Sequence, residues 1–153
     1  MIQNLTALWH LNERLQRLWT PWAQDALSIV LRLMLADVFL RSGWLKVQSW
    51  SSTLMLFEHE YAVPLLPPEW AAWMGTGGEL VLPMLLLLGL FSRFSAAGLF
   101  VVNAVAAISY PDISDLGIKD HLMWAWWAVT LVCIGSGRFS LDHWLNRRST
   151  STP

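Results

Sequence analysis

A chain of 153 residues with 55% hydrophobic and only 14% charged side chains is more apolar and less charged than an ordinary soluble domain, and has room for one domain. Its formal net charge of −1 carries no message about nucleic acid, and none is expected as a partner. Cys133 is the only cysteine, which excludes an internal disulfide and any paired-thiol redox motif.

At the start, Leu5, Leu8, Leu15, Leu18 and Trp22 recur at roughly helical spacing beside Trp9 and Trp19, while Asn12, Glu13 and Arg17 mark the other side. The pattern predicts a helix lying on the inner membrane surface over residues 1–25. Thr20 followed by Pro21 suits an N-cap with proline at the first helical position, so a first span is expected to begin there. A hydrocarbon core about 30 Å thick needs roughly 20 mainly apolar helical residues. Four stretches answer that description: about Ala26 to Val47, Trp70 to Leu90, Phe94 to Tyr110 and His121 to Gly137.

Between the first two, Phe57, Glu58, His59, Glu60 and Tyr61 precede Pro64, Pro67 and Pro68, whose rings should stop any helix and leave an extended link to Trp70. The second span should end at Gly89 to Phe91. Ser92 and Arg93 then make a tight inner turn, so spans two and three are antiparallel neighbours. Tyr110, Pro111 and Asp112 open a second outer loop that closes at Asp120 and His121. Gly135 and Gly137 terminate the fourth span, Ser140 and Asp142 suit the cap and first turn of a short surface helix carrying Trp144, and Ser149 to Pro153 reads as a disordered tail.

These elements predict an all-α polytopic membrane protein. A four-transmembrane-helix bundle over residues 26–138 is flanked by an N-terminal interfacial helix (1–25) and a cytoplasmic surface helix and tail (139–153). The eleven tryptophans crowd near span ends, as in interfacial aromatic belts. Arg14, Arg17, Arg93, Arg138, Arg147 and Arg148 fall on one side of this arrangement, and Lys46 and Lys119 with six acidic residues on the other. The positive-inside rule then puts both termini in the cytoplasm of a cell with an inner membrane. The first apolar stretch is long, internally charged and followed by further spans, so it reads as a retained anchor.

Span one contains Arg32, Asp37, Arg41 and Lys46, and span two contains Glu79. A charge near the bilayer centre costs on the order of 3 kcal/mol even on lenient insertion scales, so these groups need partners or trapped water. Asp37 and Arg41 stand four residues apart in the order that favours pairing. Counted inward from the outer surface, Glu79, Asp37 and Arg41 share a layer, Asn103 falls near the same depth, and Arg32 lies deeper toward the cytoplasm on another face. Arg32, Asp37, Arg41 and Glu79 sum to zero charge. This predicts a self-neutralising polar layer, which either fixes helix packing or lines a cavity for a polar-headed lipophilic ligand such as a quinone, with Glu79 as a proton relay.

His59 and His121, with Glu58, Glu60 and Asp120, are weak candidates for a divalent or copper site, but their spacing is unspecific and solvated loop residues are the better reading. No span has a histidine at its middle, so no haem is expected between axial histidines. The chain has no nucleotide-binding loop, nucleophile elbow or internal repeat. It is expected to carry no intrinsic cofactor.

The sequence resembles the DoxX family of small four-helix membrane proteins over about Leu27 to Leu145. Arg32, Phe39, Gly43 and Lys46 are similar to its span-one pattern, and Glu79 with Gly89, Leu90 and Arg93 to its span-two pattern. Gly135 to Asp142 is similar to its terminal Gly-x-Gly-Arg-x-Ser-Leu-Asp signature, with Ser136 where proline is common, and Phe57, Glu60, Tyr61 and Pro64 resemble a subgroup's outer loop. The family takes its name from a subunit associated with a thiosulfate:quinone oxidoreductase or terminal quinol oxidase, and other members accompany redox or metal-stress systems. The resemblance therefore implies an accessory or quinone-contacting subunit beside other membrane or periplasmic redox or metal-handling proteins. Two other classes stay open: an assembly partner without a ligand, and a small transporter or channel acting as a homo-oligomer.

Overall fold

A computed structural model describes residues 2–149. It is all-α, as expected, with six helices and no strand among the described residues: α1 (Ile2–Gln48), α2 (Trp50–His59), α3 (Pro68–Leu88), α4 (Ser92–Ser109), α5 (Asp115–Ile134) and α6 (Leu141–Ser149). The expected tail over Ser149–Pro153 lies outside the described residues except for Ser149, which ends α6.

The expected boundary at Thr20–Pro21 is not found, because α1 runs through Pro21 as one helix of 47 residues. Proline removes a single N–H bond from the interior of a helix and need not end it when the flanking turns continue. The side chains of Leu5 and Leu8 lie outside those described, while Leu15, Leu18, Trp19 and Trp22 are exposed. Burial starts only at Asp25 and then follows one face: Asp25, Ser28, Arg32, Leu35, Phe39 and Gly43. That three-and-four spacing is the inner stripe of a packed helix.

The link after α1 contains a helix that the sequence reading left as loop. Phe57 of α2 is buried against Ala71 and Ala72 of α3, so α2 packs back on the next helix instead of trailing from the last. The prolines act as expected: Pro67 is extended at the N-cap (φ −58°, ψ 145°) and Pro68 takes the first turn of α3. Gly89 caps α3 in the left-handed region (φ 67°), and α4 begins three residues later. Helix α5 starts earlier than expected, at Asp115, because the Ser114 hydroxyl accepts the Gly117 amide at 3.1 Å.

α1, α3, α4 and α5 form a ring in which α1 packs on α3 and α5, and α4 on α3 and α5. Leu31, Leu35 and Phe39 of α1 meet Leu86 of α3, Ala96 and Leu99 of α4, and Ala128 and Leu131 of α5 in one core. Two helices, α3 and α4, are long and apolar enough to cross a membrane. α1 and α5 carry more charge, from Arg32, Asp37, Arg41 and Lys46 in one and from Asp115, Lys119 and Asp120 in the other. Small residues permit close van der Waals packing between helices. Gly43 is the clearest case: a Cβ there would come within 2.9 Å of Leu80 and 3.1 Å of Glu79.

Candidate functional site

That close approach sets the register of α1 against α3. Gly43 abuts Glu79, while lower down the Arg32 guanidinium lies within 2.8 Å of where a Gly89 side chain would begin. α1 therefore stops short of the outer end of α3, and α2 continues above it, with the Trp50 and Trp73 rings 4.3 Å apart. Glu79 is thus level with Gly43. At about 1.5 Å per residue Arg41 and Lys46 both lie within a turn of that level and Asp37 about 9 Å below it, so it is direction around α1 that brings Lys46 and not Arg41 to Glu79.

Lys46 and Glu79 form a buried ion pair. The ammonium donates to both carboxylate oxygens at 2.6 and 2.5 Å and to the Ser42 hydroxyl at 2.9 Å, so all three of its N–H groups are used. Thr53 holds the turn above by donating to the Lys46 carbonyl at 2.8 Å.

This pair forms one polar wall of a cavity of about 180 Å³. Phe57, Tyr61, Val63 and Leu66 of the outer segment, Ala71, Gly75 and Met74 of α3, and Val102, Val105 and Ser109 of α4 complete it. Most of the lining is apolar. Two features stand out against it. The Ser109 hydroxyl is buried without a hydrogen-bond partner among the described residues, although its carbonyl accepts the Ala62 amide at 2.8 Å and so ties down the connecting segment. Tyr61 stacks between Phe57 and Tyr110 at 4.9 and 5.5 Å. Burial, then the negative charge of Glu79, pushes its phenol above the usual tyrosine range, which keeps it a hydrogen-bond donor.

The remaining predicted residues lie elsewhere, so the expected single charged layer does not form. Arg32 is buried at the other end of the bundle and touches no carboxylate. Its guanidinium donates to the carbonyls of Leu86 (2.8 Å), Leu87 (2.5 Å), Ser136 (3.2 Å) and Phe139 (3.0 Å). It thereby caps the carbonyl end of α3, where both the unpaired oxygens and the helix dipole favour a cation. Asp37 and Arg41 do pair, at 2.7 Å, but on the outward face, with side chains 59% and 77% exposed.

Asn103 is buried between α4 and α5, away from the cavity. Its amide nitrogen donates to the His121 carbonyl and its oxygen faces His121 Nδ1, both at 2.8 Å. With the amide so oriented, the imidazole carries its proton on Nδ1. His121 is thus engaged in joining helices, while His59 is exposed with Glu58 4.0 Å away. No group of three His, Cys, Asp or Glu suited to a metal occurs among the described residues.

Sequence reasoning passed over a second polar cluster, at the inner end. Asp25 accepts the Arg138 amide (2.8 Å) and pairs with its guanidinium (2.5 Å), which also covers the Trp22 ring at 4.3 Å. Ser28 donates to the Gly135 carbonyl at 2.9 Å. The signal was present as the spacing Asp25, Ser28, Arg32, a polar start to the stripe that continues with Leu35 and Phe39. The segment boundary expected between residues 25 and 26 cuts this stripe and parts Asp25 from Ser28 and Arg32.

Comparison with known proteins adds three findings. The family described as DoxX matches residues 27–111, more than half of the chain. An uncharacterized protein of Haemophilus influenzae is 31% identical over 123 residues, which cover 74% of this chain and 80% of that protein. No solved structure matches.

Proposed function

The chain belongs to the DoxX family, and from that membership we propose a protein that crosses the bacterial inner membrane four times and holds the ring headgroup of a quinone-like lipid in its outer cavity. α1 and α5 pack along α3 and α4 in one ring, which supports their crossing together. At about 1.5 Å per residue, the 20 residues of α5 reach about 30 Å, enough for a span. Arg93 and Arg138 belong to the same end as the turn after α3, which the positive-inside rule assigns to the cytoplasm.

The observation that carries the ligand reading is the Lys46–Glu79 pair set in the wall of an otherwise apolar cavity, with Ser109, whose hydroxyl is buried and unpartnered, among the lining residues. An apolar void of about 150 Å³ takes a benzene-sized ring, so this one fits a single substituted ring and nothing as large as a haem. Met74 and Val101, 60% and 58% exposed, flank the opening, which would let a lipid tail leave sideways between α3 and α4. Quinone carbonyls are acceptors, and Tyr61 and Ser109 carry donors, the three N–H groups of Lys46 being held by Ser42 and Glu79. With one cysteine and no paired span histidines for a haem, the protein serves as an accessory, quinone-contacting subunit of a redox or metal-stress system.

A second reading has its own observation: every N–H of Lys46 is satisfied within the protein, as in a helix clamp without a ligand. The two separate on purification in mild detergent followed by mass spectrometry of bound lipids and proteins. The ligand reading expects a quinone or related ring-headed lipid, lost from a Ser109→Leu variant that keeps the helical content and elution volume of the wild type. A wild-type protein with no such lipid and a stoichiometric protein partner would sink it in favour of an assembly role.

A further inference from the structure

Asp37 and Arg41 face outward in the wrong solvent. Their neighbours Leu35 and Phe39, two residues away and therefore about 200° around the helix, are buried in the core. Gly43 abuts Glu79 above, and Arg32 reaches the end of α3 below, so residues 37–41 stand beside the apolar stretch Leu80–Leu88. In water such a pair would be an ordinary surface contact. Along a membrane span it is a charged doublet in hydrocarbon, and only one bond, Arg41 Nε to Asp37 Oδ1, relieves it. The second carboxylate oxygen and the terminal guanidinium nitrogens have no partner among the described residues.

We propose that a second copy of this chain covers the doublet, with α1 against α1 about a twofold axis normal to the membrane. The argument is charge complementarity. A plus–minus doublet on one helix is its own complement: two copies, brought together in parallel, close it into a ring of four alternating charges. The geometry suits this, since long helical side chains lean toward the N-terminus, and Arg41 of each copy therefore leans toward the level of Asp37 in the other. The flanking outward residues, Val30, Met34 and Trp44, continue the doublet at spacings of four, three, four and three, the repeat of a two-helix seam. A parallel pair also keeps both copies in the same topology, which a twofold along the membrane normal requires. A polar group placed within such a seam fixes register, because any slip leaves charge unpaired in lipid.

The inference rests on α1 crossing the membrane, and the test keeps the two apart. In a Cys133→Ser background, Met34→Cys should form intermolecular disulfides in native membranes under copper phenanthroline, whereas Met123→Cys, exposed on α5, should not. Asp37→Arg should lower the cross-linked fraction by about tenfold, the change that each 1.4 kcal/mol makes in an association constant. Co-expression of an Asp37→Arg copy with an Arg41→Asp copy, one carrying two positive and the other two negative charges, should restore cross-linking between the two, and this separates pairing from misfolding. A Met34→Cys that is shielded from a membrane-impermeant maleimide yet never cross-links, or that cross-links to a different protein, overturns the pairing and leaves the span intact. A Met34→Cys that the impermeant reagent labels overturns the span itself.

Discussion

Asp142, in the first turn of α6, closes the first turn of α4: its Oδ2 accepts both the amide (2.9 Å) and the hydroxyl (2.8 Å) of Ser92, and its Oδ1 accepts the Phe91 amide at 2.8 Å. Its own amide donates to the Gly89 carbonyl at 2.9 Å. α4 has no cap of its own, since Phe91 offers no acceptor side chain, so the cap is supplied from 50 residues away. Gly89 must be glycine twice over. Its φ is positive, and a Cβ would lie 2.9 Å from the Ser140 Cα.

Burial raises the Asp142 pKa, but the bonds from Ser92 and Phe91 outweigh it and leave the carboxyl below the usual aspartate range. A depressed folded value means that its stabilisation is present above the unfolded value of about 3.9 and is lost as pH falls through the lower folded one. Asp142→Asn should therefore cost about 1 kcal/mol at neutral pH, as for other lost caps. It should also flatten the acid limb of the melting temperature against pH. An unchanged acid limb in the variant would show that Asp142 does not set it.

Arg32→Lys should behave as a loss. A lysine has three donors on a point charge and cannot serve four carbonyls spread over two segments, so carbonyls buried around Leu86 and Ser136 are left unpaired. Each orphan costs roughly 1–3 kcal/mol. Thermal unfolding in detergent should fall accordingly, while the folded fraction should bind any cavity ligand as the wild type does, because Arg32 lies at the opposite end.

Gly43→Val should push α1 away from Leu80 and Glu79 and lengthen the Lys46–Glu79 pair. Overpacking of this kind costs about 1–3 kcal/mol. If Glu79→Gln is then added, the second substitution should cost less than it does in the wild type, a coupling that a double-mutant cycle on melting free energies reads directly.

Ser109→Ala should move stability and binding in opposite directions. Removing an unpartnered buried hydroxyl stabilises by roughly 1 kcal/mol, and on the proposed ligand reading it deletes a donor. A variant that melts higher and carries less co-purified lipid fits a binding site. One that melts lower shows that the hydroxyl is bonded within the folded protein.

Much of the architecture was legible in the residues. Pro67–Pro68, Gly89 and Gly135 mark helix ends where they were expected, and Ser140 does cap α6, accepting the His143 amide at 3.2 Å. The site was legible only in part. Lys46 and Glu79 were both singled out, but counting residues inward from each span end assumed that α1 and α3 end level. They do not, because α2 occupies the height above α1. Such counting gives height alone and no direction around the helix, which is why Asp37 and Arg41 were placed with Glu79 when they stand on the opposite face from Phe39. Ser109 looked like any serine before a turn. The packing of α4 sets it in the cavity lining, where its carbonyl takes the Ala62 amide.

The inner cluster also fixes when the bundle can close during synthesis. Asp25, Ser28 and Arg32 are made early, yet their acceptors and partners at Gly135, Ser136 and Arg138 are made 104 to 113 residues later. Until then Arg32 has at most the carbonyls of α3, and Asp25 has no cation. A nascent chain interrupted before Gly135 therefore carries a mark of incompleteness, a carboxylate at Asp25 without its Arg138 partner and a guanidinium at Arg32 without half of its acceptors.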